Sequence, residues 1–298
     1  MTRIQQVHWE LEMDYIGHPY YVSGNAIMHA LGQHISHDLH QHLHASHGIF
    51  VPGQFGTFPE EHSQSGIRPY LGSGLPDVEA YDDLFLMRDP SHPWLLDSRP
   101  RDALNTHDIR PQSGHPALSH ETIMGKPEGA RKQQQTTKWY VHAYLHADRD
   151  DVLPLDESDL DGLQFGGKRN YGYGITRLKD TQVVDLEALD YSRLEGADTY
   201  LIEMVSPFVL ESEYPGADDT DVPWWWKEDR RDLREREGKV LEQREVYRLQ
   251  TIDHGQVVKY EGDRPVETAK NAIRRVGSHS RYGFGELRVI PIEKTIKN

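Results

Sequence analysis

Gly166-Gly167-Lys168-Arg169-Asn170-Tyr171-Gly172-Tyr173-Gly174-Ile175-Thr176-Arg177-Leu178 is answered near the C-terminus by Gly277-Ser278-His279-Ser280-Arg281-Tyr282-Gly283-Phe284-Gly285-Glu286-Leu287-Arg288-Val289. At one constant offset Gly166, Tyr171, Gly172, Gly174 and Arg177 match Gly277, Tyr282, Gly283, Gly285 and Arg288, while Tyr173 and Leu178 face Phe284 and Val289. A glycine-aromatic loop that recurs together with the strand after it marks a repeated supersecondary unit, so the chain reads as two related halves.

The loop chemistry suits a single-stranded nucleic acid. Closely spaced glycines admit left-handed backbone and bring N–H groups up to a ligand, Lys168 and Arg169 complement phosphate, and Tyr171 and Tyr173 offer faces to unstacked bases. A mononucleotide fits less well. The Gly-x-x-x-x-Gly-Lys-Ser/Thr spacing of a Walker loop is absent, and Gly172-Tyr173-Gly174 lacks the third glycine of a dinucleotide fingerprint. The competing reading of the same residues is a pair of tight turns packed on a sheet.

The 298 residues suffice for two modest domains with their own cores. Without cysteine, disulfides, thiolate metal sites and a cysteine nucleophile are excluded. No apolar run has the length of a membrane span and the N-terminus lacks a signal-peptide core, so a cytoplasmic protein without a membrane partner is expected. Acidic residues outnumber basic ones 48 to 33, a formal charge of -15 concentrated in 148–161 and 211–221. That balance has a halophilic look, and net charge then decides little about a polyanionic partner. Local density decides more: Arg131, Lys132 and Lys138, then Lys168, Arg169, Arg177 and Lys179, then Arg274, Arg275, Arg281 and Arg288 gather around the loops.

Working outward, Ile4 to Leu11 reads as a first strand, and Ser23 as the N-cap of a helix whose stripe Ile27, Leu31, Ile35, Leu39 and Leu43 repeats every four residues. The stretch of about 48–135, rich in Gly, Pro, His and Ser, reads as an insertion. Trp139 to Leu145 reads as a strand, and Tyr200 to Leu210 as a buried one interrupted at Pro207. Glu245–Leu249 and Gln256–Tyr260 predict a hairpin around Asp253-His254-Gly255. Thr268 to Val276 predicts a helix burying Ala269, Ala272, Ile273 and Val276 and stopping at Gly277. The order predicts an α+β protein of two ferredoxin-like (RRM-like) βαββαβ domains with long insertions, 1–192 and 196–298.

The Gly-Gly-Lys-Arg-x-x-Gly-x-Gly run leading into a strand resembles the glycine-rich loop of the RAMP superfamily, RNA-binding proteins of class 1 CRISPR systems. Ser23 to Leu31 is similar to the opening of the first helix in such proteins, Met204 to Leu210 to the first strand of a second RAMP domain, and Tyr282 to Gly285 to its closing loop. Two loop-bearing halves most resemble the subunit that holds the 5′ handle of the guide RNA at the foot of type III-like effector complexes. The resemblance implies guide RNA and other effector subunits as partners, above all a backbone RAMP subunit, with no cofactor and no metal. The implied RNA contacts are Gly166, Gly167, Lys168, Arg169, Asn170, Tyr171, Gly172, Tyr173, Gly174, Gly277, Ser278, His279, Arg281, Tyr282, Gly283, Phe284 and Lys138.

An enzyme remains the alternative. Seven histidines, His29, His34, His37, His40, His42, His44 and His47, crowd the first helix. Metal-independent RNA cleavage needs a base for the 2′-hydroxyl and an acid for the leaving oxygen, and histidine titrates in the useful range. In the resembling nucleases a histidine on this helix is catalytic, which points to His29 or His34. The 3-4-3 spacing of His37, His40, His44 and His47 would also place them on one helical face as candidate zinc ligands, against a bland polar face. Asp148, Asp150 and Asp151 read as a cation site or an acidic turn, and Trp224, Trp225 and Trp226 as a stacking or docking platform or a partly buried patch.

Overall fold

The computed structural model describes residues 2–18, 21–52, 74–88, 101–107, 117–123, 138–215, 222–227, 232–242 and 245–292, with backbone alone for 101–107 and 117–123. The protein is α+β, with antiparallel sheets and few helices. Among the described residues no helix is long and apolar enough to cross a membrane. In the first half the strands are β1 (Arg3–Leu11), β2 (Tyr21–Val22), β3 (Leu43–Ala45) and β4 (Gly48–Pro52), then the hairpin β5 (Arg101–His107) and β6 (Ala117–Ile123), then β7 (Trp139–Ala147) and β8 (Thr176–Asp185). The main sheet runs β2-β4-β7-β1-β8, with β3 also on β7.

Both faces of this sheet are covered. Val7 and Trp9 of β1, opposite Ala143 and Val141 of β7, share a core with Ile27, Met28 and Leu31 of helix α1 (Gly24–Leu31). The other face carries Gln6, His8, Tyr140, His142 and Tyr144, over which residues 74–88 are strapped: Leu75 N donates to Asp180 Oδ2 at 3.0 Å, and Gln182 Nε2 to the Pro76 carbonyl at 2.8 Å. Hence β7 is buried along eight consecutive residues rather than alternately. After β7 comes one helical turn, Glu157–Leu160, whose Leu160 carbonyl accepts from Trp9 Nε1 at 2.7 Å, and then the first glycine loop.

The predicted long first helix is two. Ser23 Oγ caps α1 as expected, accepting from Ala26 N at 3.2 Å, but Gly32 ends it, Ser36 Oγ caps a second helix α2 (His37–His42), and Leu43 begins β3. The reason is helical geometry: four residues advance about 400°, so a strict four-residue stripe drifts by about 40° per step and leaves the core face after a few steps. The insertion also starts later than expected, because Ile49, Phe50 and Val51 form an inner strand of the main sheet.

In the second half β9 (Tyr200–Met204) and β10 (Phe208–Ser212) are one strand bent at Ser206-Pro207, as the sequence predicts. The predicted hairpin around Asp253 does not form. Instead β12 (Glu245–Ile252) pairs with β10 and with β11 (Glu235–Glu242), whereas β13 (Val257–Lys259) pairs with β9, so the turn at 253–256 carries the chain from one sheet to the next alongside the bend at Pro207. The order β13-β9-β14 is completed by β14 (Leu287–Pro291), reached through helix α3 (Pro265–Ile273) and the second glycine loop. Ala269, Ala272 and Ile273 of α3 are buried as predicted, and Ala269 and Ile273 share a core with Ile4 and Tyr144 of the first half; the helix starts and ends three residues earlier than expected, Arg275 at positive φ turning the chain before Gly277, so Val276 lies beyond it and is half-buried.

Candidate nucleic-acid interface

The two glycine loops share one backbone. Positive φ occurs at Gly166, Lys168, Gly172 and Gly174, and at the equivalent Gly277, His279, Gly283 and Gly285. A single 3-10 turn, Arg169–Tyr171 or Ser280–Tyr282, lies between the second and third of these positions. The loop mouth is pinned identically: Phe165 N donates to Gly174 O and Val276 N to Gly285 O, each at 2.9 Å, while Gly174 N and Gly285 N reach Asp14 O and Pro207 O, each at 2.8 Å. Such agreement in hydrogen bonding makes the sequence repeat a structural one.

Their surroundings differ. Around the first loop Gly167, Lys168, Asn170 and Tyr171 are exposed, Tyr171 at 79 %, and a Cβ on Gly172 would meet nothing within 4 Å. Gly166, Arg169 and Tyr173 are half-buried and Gly174 is buried at the hinge with β8. Lys138, at the start of β7, is ion-paired with Glu10 at 2.6 Å, and Arg177 with Glu12, so part of the expected cationic rim is already neutralised by carboxylates of β1 and its extension.

The second loop is wedged between the halves. Arg281 donates to the His40 carbonyl at 2.8 Å and to the Leu43 carbonyl at 3.2 Å, and Tyr282 OH donates to Glu242 at 3.0 Å. A Cβ on Gly283 would stand 2.3 Å from His47 Nδ1. Phe284, 3 % exposed, packs with Val209, Val240 and Leu249 and edge-on to His47. Gly283 and Phe284 are therefore interior residues, which corrects their expected place on an RNA-facing surface. Gly277 stays exposed, and Ser278 and His279 are half-buried, the latter with Nε2 2.7 Å from Ser212 Oγ.

Behind this wedge lies an ionic junction the sequence reading missed. Arg88, from the strap, makes a bidentate pair with Glu286 at 2.8 and 2.6 Å, both side chains fully buried, and also donates to the carbonyls of His47 and His142. Arg288 reaches Asp82 at 3.1 Å, and the buried Arg275, lowered to about 10 by desolvation, donates to His146 Nδ1 at 2.6 Å.

The histidines are dispersed accordingly. His37 and His40 lie on α2, His44 on β3 and His47 beyond it, so the 3-4-3 zinc face does not exist. His47 Nδ1 accepts from Gly24 N at 2.9 Å, and burial holds its pKa well below the ordinary value. His29 is partly exposed with Nε2 3.8 Å from Glu242, the carboxylate that also receives Tyr282; His34 lies in the turn after α1 with no side-chain partner among the described residues. His44 Nε2 meets Asp148 at 2.8 Å, and His44, His146 and Asp148 bring their ligand atoms within 4.8 Å of one another. Trp226 is buried, Trp225 partly so and Trp224 76 % exposed. Arg131 and Lys132 lie outside the described residues, as does most of 53–137.

No family model matches the chain, and no curated protein matches it. Among solved structures it is similar to a CRISPR associated protein Cas6, with a TM-score of 0.37 and 11 % identity over 98 % of this chain and 100 % of that one. It is also similar to a chain of the Type III-B Cmr-beta complex bound to cognate target RNA, with a TM-score of 0.32 and 11 % identity over 90 % of this chain and 93 % of that one.

Proposed function

We propose that the chain is a CRISPR RNA-binding protein of the RAMP type, working as the guide-RNA subunit of a multisubunit effector and holding the 5′ handle with the loop at 166–174. The observation that carries this is the contrast between the loops: identical backbones, one braced between the halves and one presenting Lys168, Asn170 and Tyr171 to solvent. An exposed tyrosine on a rigid turn beside cationic side chains is the element a splayed base and its phosphate need. The division into two ferredoxin-like domains, 1–192 and 196–298, belongs to the same reading. The first sheet supplies the strand order β4-β7-β1-β8, and the second half supplies β13-β9-β14 with its helix. A backbone RAMP subunit would be the neighbour within the effector.

A second reading has its own observation. His29 Nε2 and the Tyr282 hydroxyl flank one carboxylate, Glu242, on a partly exposed surface where α1, the β11–β12 hairpin and the second loop meet. A base and an acid around a bound ribose are what metal-independent cleavage requires. Incubating the protein with repeat RNA in EDTA separates the two. Tight binding with the RNA intact supports the subunit; a unique cut that disappears in His29→Ala supports the nuclease; and absence of any RNA affinity rejects both.

A further inference from the structure

At the end of the main sheet remote from the first loop, the start of β1, the end of β7 and the end of α3 enclose a cavity of about 330 Å³ lined by Thr2, Arg3, Asp148, Arg149, Asp150 and Arg274. Beside it sits the His44–His146–Asp148 cluster. Its side-chain types suggest a cation, but its electrostatics oppose one. The guanidinium of Arg275 is 2.6 Å from His146 Nδ1, and Asp148 is already spent on His44 Nε2 at 2.8 Å. Burial first keeps both imidazoles below their ordinary pKa; Arg275 adds to this at His146, and at His44 it works against the larger, opposite pull of Asp148. Arg149 is tied to Asp38 at 2.7 Å, whereas Arg274 has no carboxylate partner among the described residues.

We propose that this cavity is a phosphate-binding site, with Arg274 as its principal ligand and Arg3 and the Thr2 hydroxyl as its support. A guanidinium without a carboxylate partner at the wall of a polar cavity matches a phosphate oxygen pair in geometry and charge. The eight steps along the nine-residue antiparallel β1 separate the site from the loop at 166–174 by about 27 Å at about 3.4 Å per residue. On the RNA reading above, on which only this extension rests, one strand would be held at two remote points. The phosphate is either an internal diester or a terminal monoester.

The test uses the full chain. Calorimetric titration with inorganic phosphate and pyrophosphate is expected to saturate, and Arg274→Gln is expected to weaken binding at least tenfold with an unchanged thermal midpoint; Arg3→Gln gives a smaller, parallel loss. With single-stranded RNA, Arg274→Gln should lower the slope of log affinity against log salt by about 0.7, the share of one phosphate on a single strand, whereas Tyr171→Ala weakens binding at an unaltered slope. If a 5′-phosphate strengthens binding over a 5′-hydroxyl and the gain is lost in Arg274→Gln, the group held is terminal; equal binding with the lost slope makes it internal. Phosphate binding without any RNA affinity would uphold the site and reject the RNA reading alone. Phosphate binding indifferent to Arg274→Gln, or none at all, overturns the proposal. Saturable zinc binding abolished by His44→Ala would also overturn it, by making the cluster a cation site.

Discussion

The loop at 166–174 presents Lys168, Asn170 and Tyr171 to solvent, whereas the loop at 277–285, with the same left-handed positions and the same mouth hydrogen bonds, is pressed between α1, β3 and the β11–β12 hairpin. The glycines at equivalent positions fix the local path, and what surrounds that path then decides its use. In the second copy the residue after the last glycine is Glu286 instead of Ile175, and this carboxylate receives the buried Arg88 from the other half. The helices diverge in the same way. Among the described residues, the eight-residue helix α1 follows the first strand in the N-terminal half, where only the single turn Glu157–Leu160 precedes β8, and the nine-residue helix α3 precedes the last strand in the C-terminal half. The two loops are thus placed differently, one at an open surface and the other within the contact between the halves.

The sharpest way to break that comparison is to unpair the junction. Glu286→Gln leaves the Arg88 guanidinium buried without a counter-charge, and the expected loss is about 3–5 kcal/mol in urea unfolding. Arg88→Met added to Glu286→Gln should recover a large part, since removing both charges also removes the desolvation cost. The equivalent change in the open copy, Ile175→Gln, touches no ion pair and should cost far less. Equal losses in the two copies would mean that the junction does not distinguish them.

Acid offers a second probe. His47, His142 and His146 are each held well below the ordinary histidine value by burial first, with Arg88 or Arg275 adding to it. The unfolded chain therefore takes up their protons first. Stability is full above about pH 6.5 and falls below it by about 1.4 kcal/mol per pH unit for each histidine, or about 4 kcal/mol for the three at about pH 5.5. His47 and His146 adjoin the second loop, through Gly283 and Arg275, so hydrogen exchange at that loop should accelerate in acid before exchange at the first loop changes. Unfolding midpoints independent of pH between about 7.5 and 5.5 would contradict the buried neutral state.

These outcomes bear on what the sequence made legible. The loop repeat, the Ser23 cap, the bend at Pro207 and the buried face of α3 were readable because each rests on a local rule of backbone or periodicity. The first helix misled because a stripe spaced by four suggests one face while drifting around the axis, and because Ser36 caps a second helix partway along that stripe. The zinc face failed with it. Ile49-Phe50-Val51 was hidden in Gly- and Pro-rich surroundings, since a short fully buried strand has no alternation to reveal it. Arg88 carried no local signal at all. Glu286 did: a carboxylate facing Ile175 in the repeat alignment puts a charge at the entrance of β14, and it marks the copy that is tied to the other half.

Glycine substitutions sharpen the contrast at one loop position. In both copies alanine meets positive φ, a strain of about 1–2 kcal/mol. At Gly172 that is the whole cost, because its surroundings are open, but at Gly283 the new methyl collides with His47 Nδ1 and backbone N, adding about 1–3 kcal/mol of overpacking. The expected order in thermal unfolding is therefore Gly283→Ala well below Gly172→Ala, and equal midpoints would refute the wedge.

The smallest effect on stability is expected to coincide with the clearest effect on binding. Tyr171 is exposed and buries little of its ring, so Tyr171→Ala should leave the unfolding midpoint within about 0.5 kcal/mol of the parent. If a base stacks there, the same change weakens single-stranded RNA binding by about 1–3 kcal/mol, while Tyr171→Phe retains most of the affinity because stacking needs the ring and not the hydroxyl. The twin Tyr282 should behave in reverse. Its hydroxyl is engaged with Glu242 and its acidity suppressed to a pKa of about 12, mainly by burial, so Tyr282→Ala should lower stability first. Fluorescence anisotropy and thermal melts on these variants decide the matter. Loss of RNA affinity in Tyr282→Ala at undiminished stability, with Tyr171→Ala unaffected, would exchange the roles assigned to the two loops.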